Sequence, residues 1–125
     1  MLRRSRIAYM LLAHMPPDMF AELKKGSAET LILALLENGP AHGYDLAKQI
    51  DDRTGGRLTF HVANVYTSLY RLEHAGFIVG RWVEKDGERR RRFYRLTSAG
   101  RHELAARRRS WREFVGAVDV VLRPA

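Results

Sequence analysis

The sequence predicts a mainly α fold carrying one small β-hairpin. Three observations predict it. Apolar residues recur at helical spacing as far as Ala75. The pattern then turns β-branched and aromatic on both sides of Asp86-Gly87, a strong two-residue hairpin signal. Helical spacing returns after Thr97 and runs to Leu122. At 125 residues and 46 % hydrophobic, the chain can bury one modest core.

Each element has its own signals. Pro17 is placed to open a short helix ending near Lys25, with Asp18 and Glu22 in its early turns. Ser27 can cap a second helix striped by Leu31, Ile32, Leu35 and Leu36, which Asn38-Gly39-Pro40 stops. A third helix over 43–53 carries Leu46, Ala47 and Ile50 on one side. A short extended piece over 57–60 leads to a fourth helix over 62–75. Its inner face is Val65, Leu69 and Leu72, and Gly76 ends it. Strands follow over 77–85 and 89–96. Thr97 caps the last helix, along which Leu104, Trp111, Val115, Val118 and Leu122 recur at near coiled-coil spacing. Compact helices followed by a hairpin make a winged helix-turn-helix, here with a long C-terminal dimerisation helix. The chain divides into an N-terminal extension (1–16), a DNA-binding domain (17–96) and the dimerisation helix (97–125).

Charge points to the partner. The chain has 22 Lys and Arg against 14 Asp and Glu, a net charge of +8. The stretch 81–112 holds 12 bases and 4 acids, so it carries the whole excess. Charge concentrated in this way marks a surface for a polyanion. On the fourth helix, Ala63, Thr67 and Tyr70 lie opposite the apolar stripe, flanked by Asn64, Tyr66 and Arg71. A small residue lets the backbone approach a groove, and the others can reach base edges or phosphates. Arg89, Arg90 and Arg91 at the hairpin are expected to meet DNA too. Because neighbours on a strand point to opposite faces, some of the run Arg89–Arg92 grip phosphates while others pack.

Several classes are excluded or disfavoured. Without cysteine there is no disulfide, cysteine nucleophile or thiolate metal site. The five histidines form no pair at helical metal-clamp spacing, so no metal and no cofactor is expected. Hydrolase, zinc-protease, P-loop and dinucleotide signatures are absent, so an enzyme is not expected. No apolar run reaches membrane-span length. Arg3, Arg4 and Arg6 ahead of Ile7–Ala13 superficially resemble a signal peptide. That run is short and meets Pro16-Pro17 with no convincing cleavage site, so a cytoplasmic protein is expected. The competing reading from another class is a small basic dimeric adaptor that docks an acidic protein without binding DNA.

Three motifs carry a family resemblance. Gly39-Pro40-Ala41-His42-Gly43-Tyr44-Asp45-Leu46 resembles the helix entry of PadR-type transcriptional regulators. Val65-Tyr66-Thr67-Ser68-Leu69-Tyr70-Arg71-Leu72-Glu73-His74-Ala75-Gly76-Phe77-Ile78 resembles that family's recognition helix, with Val65 where leucine is usual. Glu88-Arg89-Arg90-Arg91-Arg92-Phe93-Tyr94-Arg95-Leu96-Thr97-Ser98-Ala99-Gly100 resembles its wing and the start of the next helix. The single C-terminal helix is similar to the short subfamily. The resemblance implies a homodimeric, ligand-responsive repressor on a pseudo-palindromic operator. His61 and Asn64 stand where members vary, so the operator sequence does not carry over. Residues 1–16 extend beyond the usual start, either as an extra dimer-contacting helix or as sequence upstream of a start near Met15.

A ligand site is expected at the dimer seam. Two copies of Trp111 facing across a two-fold axis would stack or leave a slot for a flat aromatic effector. Met19 and Leu23 would complete that slot from the opposite subunit. The plainer reading is that Trp111 fills the dimer core.

Overall fold

The computed structural model describes residues 26–85 and 87–125. The expected helix over 17–25 and the extension over 1–16 lie outside the described residues. The elements in order are α1 (Ala28–Leu36), β1 (Ala41–His42), α2 (Gly43–Arg53), α3 (Val62–His74), β2 (Ile78–Val83), β3 (Arg91–Leu96) and α4 (Ser98–Leu122). Mainly helical with a three-stranded antiparallel sheet, it has the winged-helix architecture. The core is built from one face of each helix: Ile32 and Leu33 from α1, Leu46 from α2, and Val65, Leu69 and Leu72 from α3. Ile78 and Leu96 close it from the sheet.

The sheet corrects the expected two-stranded hairpin. Its order is β1-β3-β2, with Ala41 opposite Tyr94 and His42 opposite Phe93. Two residues are too short to display alternation, so β1 leaves no period in the sequence. The wing turn is also longer than a two-residue loop, because pairing stops at Val83 opposite Arg91. Buried Ile78, Tyr94 and Leu96 set this register, and a slip of one residue would turn them outward. Continued in this register, the ladder would set Lys85 against Arg89, and like charges directly opposite are destabilising. A turn bond from Glu88 N–H to the Lys85 carbonyl, 2.9 Å, closes the tip instead. The piece over 57–60 joins no strand, although Phe60 enters the core.

Helix ends follow local chemistry. Gly76 has φ +83° after α3. Phe77 N–H donates to the Leu72 carbonyl and Gly76 N–H to that of Glu73, a Schellman closure. The Thr97 hydroxyl accepts from Gly100 N–H at 3.0 Å and donates to the Gly76 carbonyl at 2.7 Å, so one residue caps α4 and ties it to the end of α3. Ser27, expected to cap α1, occupies the N-cap position without a side-chain capping bond.

Among the described residues, α4 is fixed to the domain only near its start. Gly100 is buried, and a Cβ there would collide with the Phe77 carbonyl. Leu104 is 1 % exposed and belongs to the core. Arg108 reaches back to Glu37 after α1 in a bidentate pair at 2.7 and 3.0 Å. Beyond Ser110 nearly every residue is exposed, including Val120, Val121 and Leu122. Leu104 was expected on the free seam; it packs within its own protomer instead. The apolar period continues unbroken from core to exposed stretch, so the sequence shows no boundary between them.

Candidate nucleic-acid interface

α3 has one buried and one open side. Val65, Ser68, Leu69 and Leu72 face the core. Ala63, Asn64, Tyr66, Thr67, Tyr70 and Arg71 are all exposed, as the spacing predicts. No acid stands in the first turn. The Thr67 hydroxyl donates to the Ala63 carbonyl at 3.0 Å. Its single proton is therefore used within the helix, and it offers an acceptor oxygen and a methyl outward. Tyr66 lies against the start of α2: a Cβ on Gly43 would come within 2.7 Å of its ring. Gly43 is what lets these two helices meet there. Tyr70 is 71 % exposed and stacks on His74, centroids 6.1 Å apart.

A layered cluster joins the wing to the far end of α3. Glu73 accepts from Gly80 N–H at 2.8 Å and from the Arg92 guanidinium at 2.7 Å. The Arg92 guanidinium also lies 5.7 Å from the rings of both Trp82 and Tyr94, and Arg90 lies 4.8 Å from that of Trp82. A Cβ on Gly80 would collide with the Arg92 side chain, so the glycine makes room for this packing. Partial burial pushes the Glu73 carboxyl up. The hydrogen bonds from Arg92 and Gly80 and the Arg92 charge outweigh it, leaving the group below the ordinary carboxylate range. The arginine run is thus divided. Arg92 packs against β2 and α3, Arg90 stacks at the tip 3.9 Å from Glu84, and Arg89 is exposed. Arg91 points to the opposite face, toward β1 and α2.

There it meets His42. His42 Nδ1 accepts from Asp45 N–H at 3.1 Å as the N-cap of α2, while Nε2 lies 2.9 Å from Arg91 Nη1. Phe93 presses edge-on against the imidazole, centroids 5.3 Å apart. Burial and the Arg91 charge hold the imidazole below its ordinary pKa, opposed by Asp45.

The profile of the PadR-like family of transcriptional regulators matches residues 32–106. The chain belongs to the PadR-like family. Its members are transcriptional regulators rather than enzymes. A PadR family regulator from Eggerthella lenta superposes with a TM-score of 0.73 at 25 % identity, covering 99 % of this chain and 98 % of its own. Bacillus subtilis PadR in complex with operator DNA superposes with a TM-score of 0.58 at 28 % identity, over 62 % of this chain and 44 % of that one. In sequence, the B. subtilis negative transcriptional regulator PadR is 30 % identical over 73 residues, which span 58 % of this chain and 40 % of that protein.

This PadR-like chain brings some expected site residues together and separates others. The α3 residues and Arg89, Arg90 and Arg91 sit on neighbouring elements of one domain. Trp111 is 53 % exposed and lines a groove of about 890 Å³ with Phe114, Leu31, Leu58 and Ala106. This groove lies within one protomer, between α1 and α4, and does not need a second copy to exist. Met19 and Leu23, expected beside Trp111, lie outside the described residues. Of the expected seam, Val115 and Leu122 are exposed and Val118 is half-buried. Among the described residues, no cluster of His, Asp or Glu could hold a metal ion, and no helix is long and apolar enough to cross a membrane. Sequence reading missed His42, Glu73 and Trp82 as site-building residues, and it expected the run Arg89–Arg92 to divide without saying that Arg92 is the one that packs. For His42 and Glu73 the only signal was their presence in the family motifs.

Proposed function

We propose that this PadR-like regulator is a sequence-specific repressor that binds a pseudo-palindromic operator as a cytoplasmic homodimer. The observation that carries this reading is the open face of α3, with Asn64, Thr67 and Arg71 exposed beside an arginine-rich wing. α3 enters the major groove by its first turns, with Ala63 permitting close approach. Arg89 and Arg91 hold the backbone from the wing. The exposed apolar end of α4 supports the homodimer, since Val120, Val121 and Leu122 are largely uncovered by the described residues of the protomer. The B. subtilis relative bound to its operator supports the DNA partner.

The regulator also answers a planar aromatic effector. The groove beside Trp111 and Phe114 presents a mainly apolar surface, with Thr30, Glu103, Arg107 and Ser110 also in its lining, and offers an indole for stacking. The test is a gel shift and footprint on the region upstream of its own gene, repeated across salt concentrations. A protected two-fold site with steeply salt-dependent affinity is expected. Failure to shift any duplex, with capture of acidic protein instead, would establish the adaptor reading.

A further inference from the structure

The cleft between the amino end of α2 and the wing contains two donors that face each other and, among the described residues, have no acceptor between them. It encloses about 280 Å³, and its charged lining is Lys85, Arg89 and Arg91 against Asp45 and Glu88. A neutral imidazole has one lone-pair nitrogen and one N–H. His42 spends its lone pair at Nδ1 on the Asp45 N–H that caps α2. Its proton is therefore on Nε2. That N–H stands 2.9 Å from Arg91 Nη1, and a guanidinium only donates. Asp45 does not relieve the clash: its Oδ2 takes the Gln49 amide at 2.6 Å, and it accepts from neither His42 Nε2 nor Arg91.

We propose that this cleft seats one backbone phosphate of duplex DNA, accepting hydrogen bonds from His42 Nε2–H and the Arg91 guanidinium. The proposal rests on the DNA-binding reading above and adds His42 as a contact residue. The capping bond acts as the positioning device: by occupying Nδ1 it fixes both the tautomer and the ring plane, so that Nε2–H is aimed outward. Arg91 is directed to this side by strand alternation, opposite to Arg92. A phosphodiester carries two unesterified oxygens, enough to serve both donors. The same oxygens exist on free phosphate. Location on the wing, the strip of surface that follows the DNA backbone, favours the diester.

The test separates capping from contact. His42→Asn keeps a good N-cap residue but is too short to place a donor beside Arg91. It is expected to unfold at the wild-type urea concentration yet bind a mixed-sequence duplex about tenfold more weakly, the size of one charge-assisted hydrogen bond. Arg91→Ala should lower the salt slope by ~0.9, one phosphate contact. The double variant should bind like Arg91→Ala alone, because both donors serve one oxyanion. Wild-type affinity in His42→Asn, or losses that simply multiply in the double variant, would overturn the proposal while leaving DNA binding intact. A wild-type protein that binds no duplex overturns both readings. Titration of inorganic phosphate, followed by the His42 imidazole nitrogen resonances, covers the remaining source. If phosphate shifts them while His42→Asn leaves DNA affinity unchanged, the cleft binds a free anion and the DNA assignment fails.

Discussion

Replacing Glu73 with alanine should loosen the wing from the recognition helix. In the wild type its carboxylate holds two donors, Gly80 N–H at 2.8 Å and Arg92 at 2.7 Å. A hydrogen bond to a charged group contributes ~1.5–3 kcal/mol when well shielded. The Glu73 and Arg92 side chains are 30 % and 31 % exposed, so solvent screening reduces the ionic part. Glu73→Ala also strips the partly buried Gly80 N–H of its acceptor. A loss of about 2 kcal/mol is therefore expected, and about 1 kcal/mol for Glu73→Gln, which keeps an acceptor for Gly80. Urea unfolding at neutral pH reads both. A cycle with Arg92→Ala should show coupling of about 1 kcal/mol. The pH dependence has a definite sign. The folded carboxyl lies below its ordinary range, so its contribution is full above the unfolded pKa of about 4.3 and is lost as pH falls through the folded value. Wild type and Glu73→Gln should converge in acid. Zero coupling with Arg92, or a gap between the two proteins that persists in acid, would refute the reasoning.

Other substitutions test the rest of the scaffold and the site. Gly100→Ala forces a methyl into the Phe77 carbonyl and should cost ~3 kcal/mol or more in urea unfolding, whereas Gly116→Ala, which meets nothing, should stabilise the protomer by ~0.5–1 kcal/mol. Arg89→Ala with Arg91→Ala should weaken binding to all duplexes alike and lower the salt slope by ~1.8; a changed operator preference at an unchanged slope would mean that the wing reads bases. Asn64→Ala should alter operator preference by ~1–3 kcal/mol if it contacts a base, which competition between operator variants will show. Val118→Asp or Leu122→Asp should yield monomers with weakened operator binding, measured by sedimentation and gel shift. In a Trp82→Phe background planar dyes should quench the remaining Trp111 fluorescence; Trp111→Ala should remain dimeric but lose dye binding, followed by the absorbance of the dye itself, and a full inducer response in that variant would remove Trp111 from the effector site.

What the sequence disclosed depended on distance along the chain. The stripe of Val65, Leu69 and Leu72 is periodic, so it revealed both the inner face of α3 and, by subtraction, the exposed one. Gly76 and Thr97 act within a few residues of themselves, and both ends they mark were legible. β1 was not, because its two residues become a strand only through pairing with β3. Glu73 and Arg92 stand 19 positions apart, and only the register of β2 on β3 brings them together. Leu104 was misplaced for a different reason. Core and seam use the same apolar residues at the same period, so the distinction lies in what surrounds the helix.

The uneven anchoring of α4 makes it a lever. At 1.5 Å per residue its 25 residues extend ~37 Å, close to one turn of B-DNA. Among the described residues only the base is clamped, by Gly100, Leu104 and the Arg108–Glu37 pair. A tilt of about 10° about Arg108, the outermost of these points, sweeps the end of the helix through ~4 Å. Small repacking at the groove beside Trp111, just past the clamp, is thereby geared up into a large displacement at the tip. Conversely, whatever grips the tip sets the aim of the recognition helix with fine mechanical advantage.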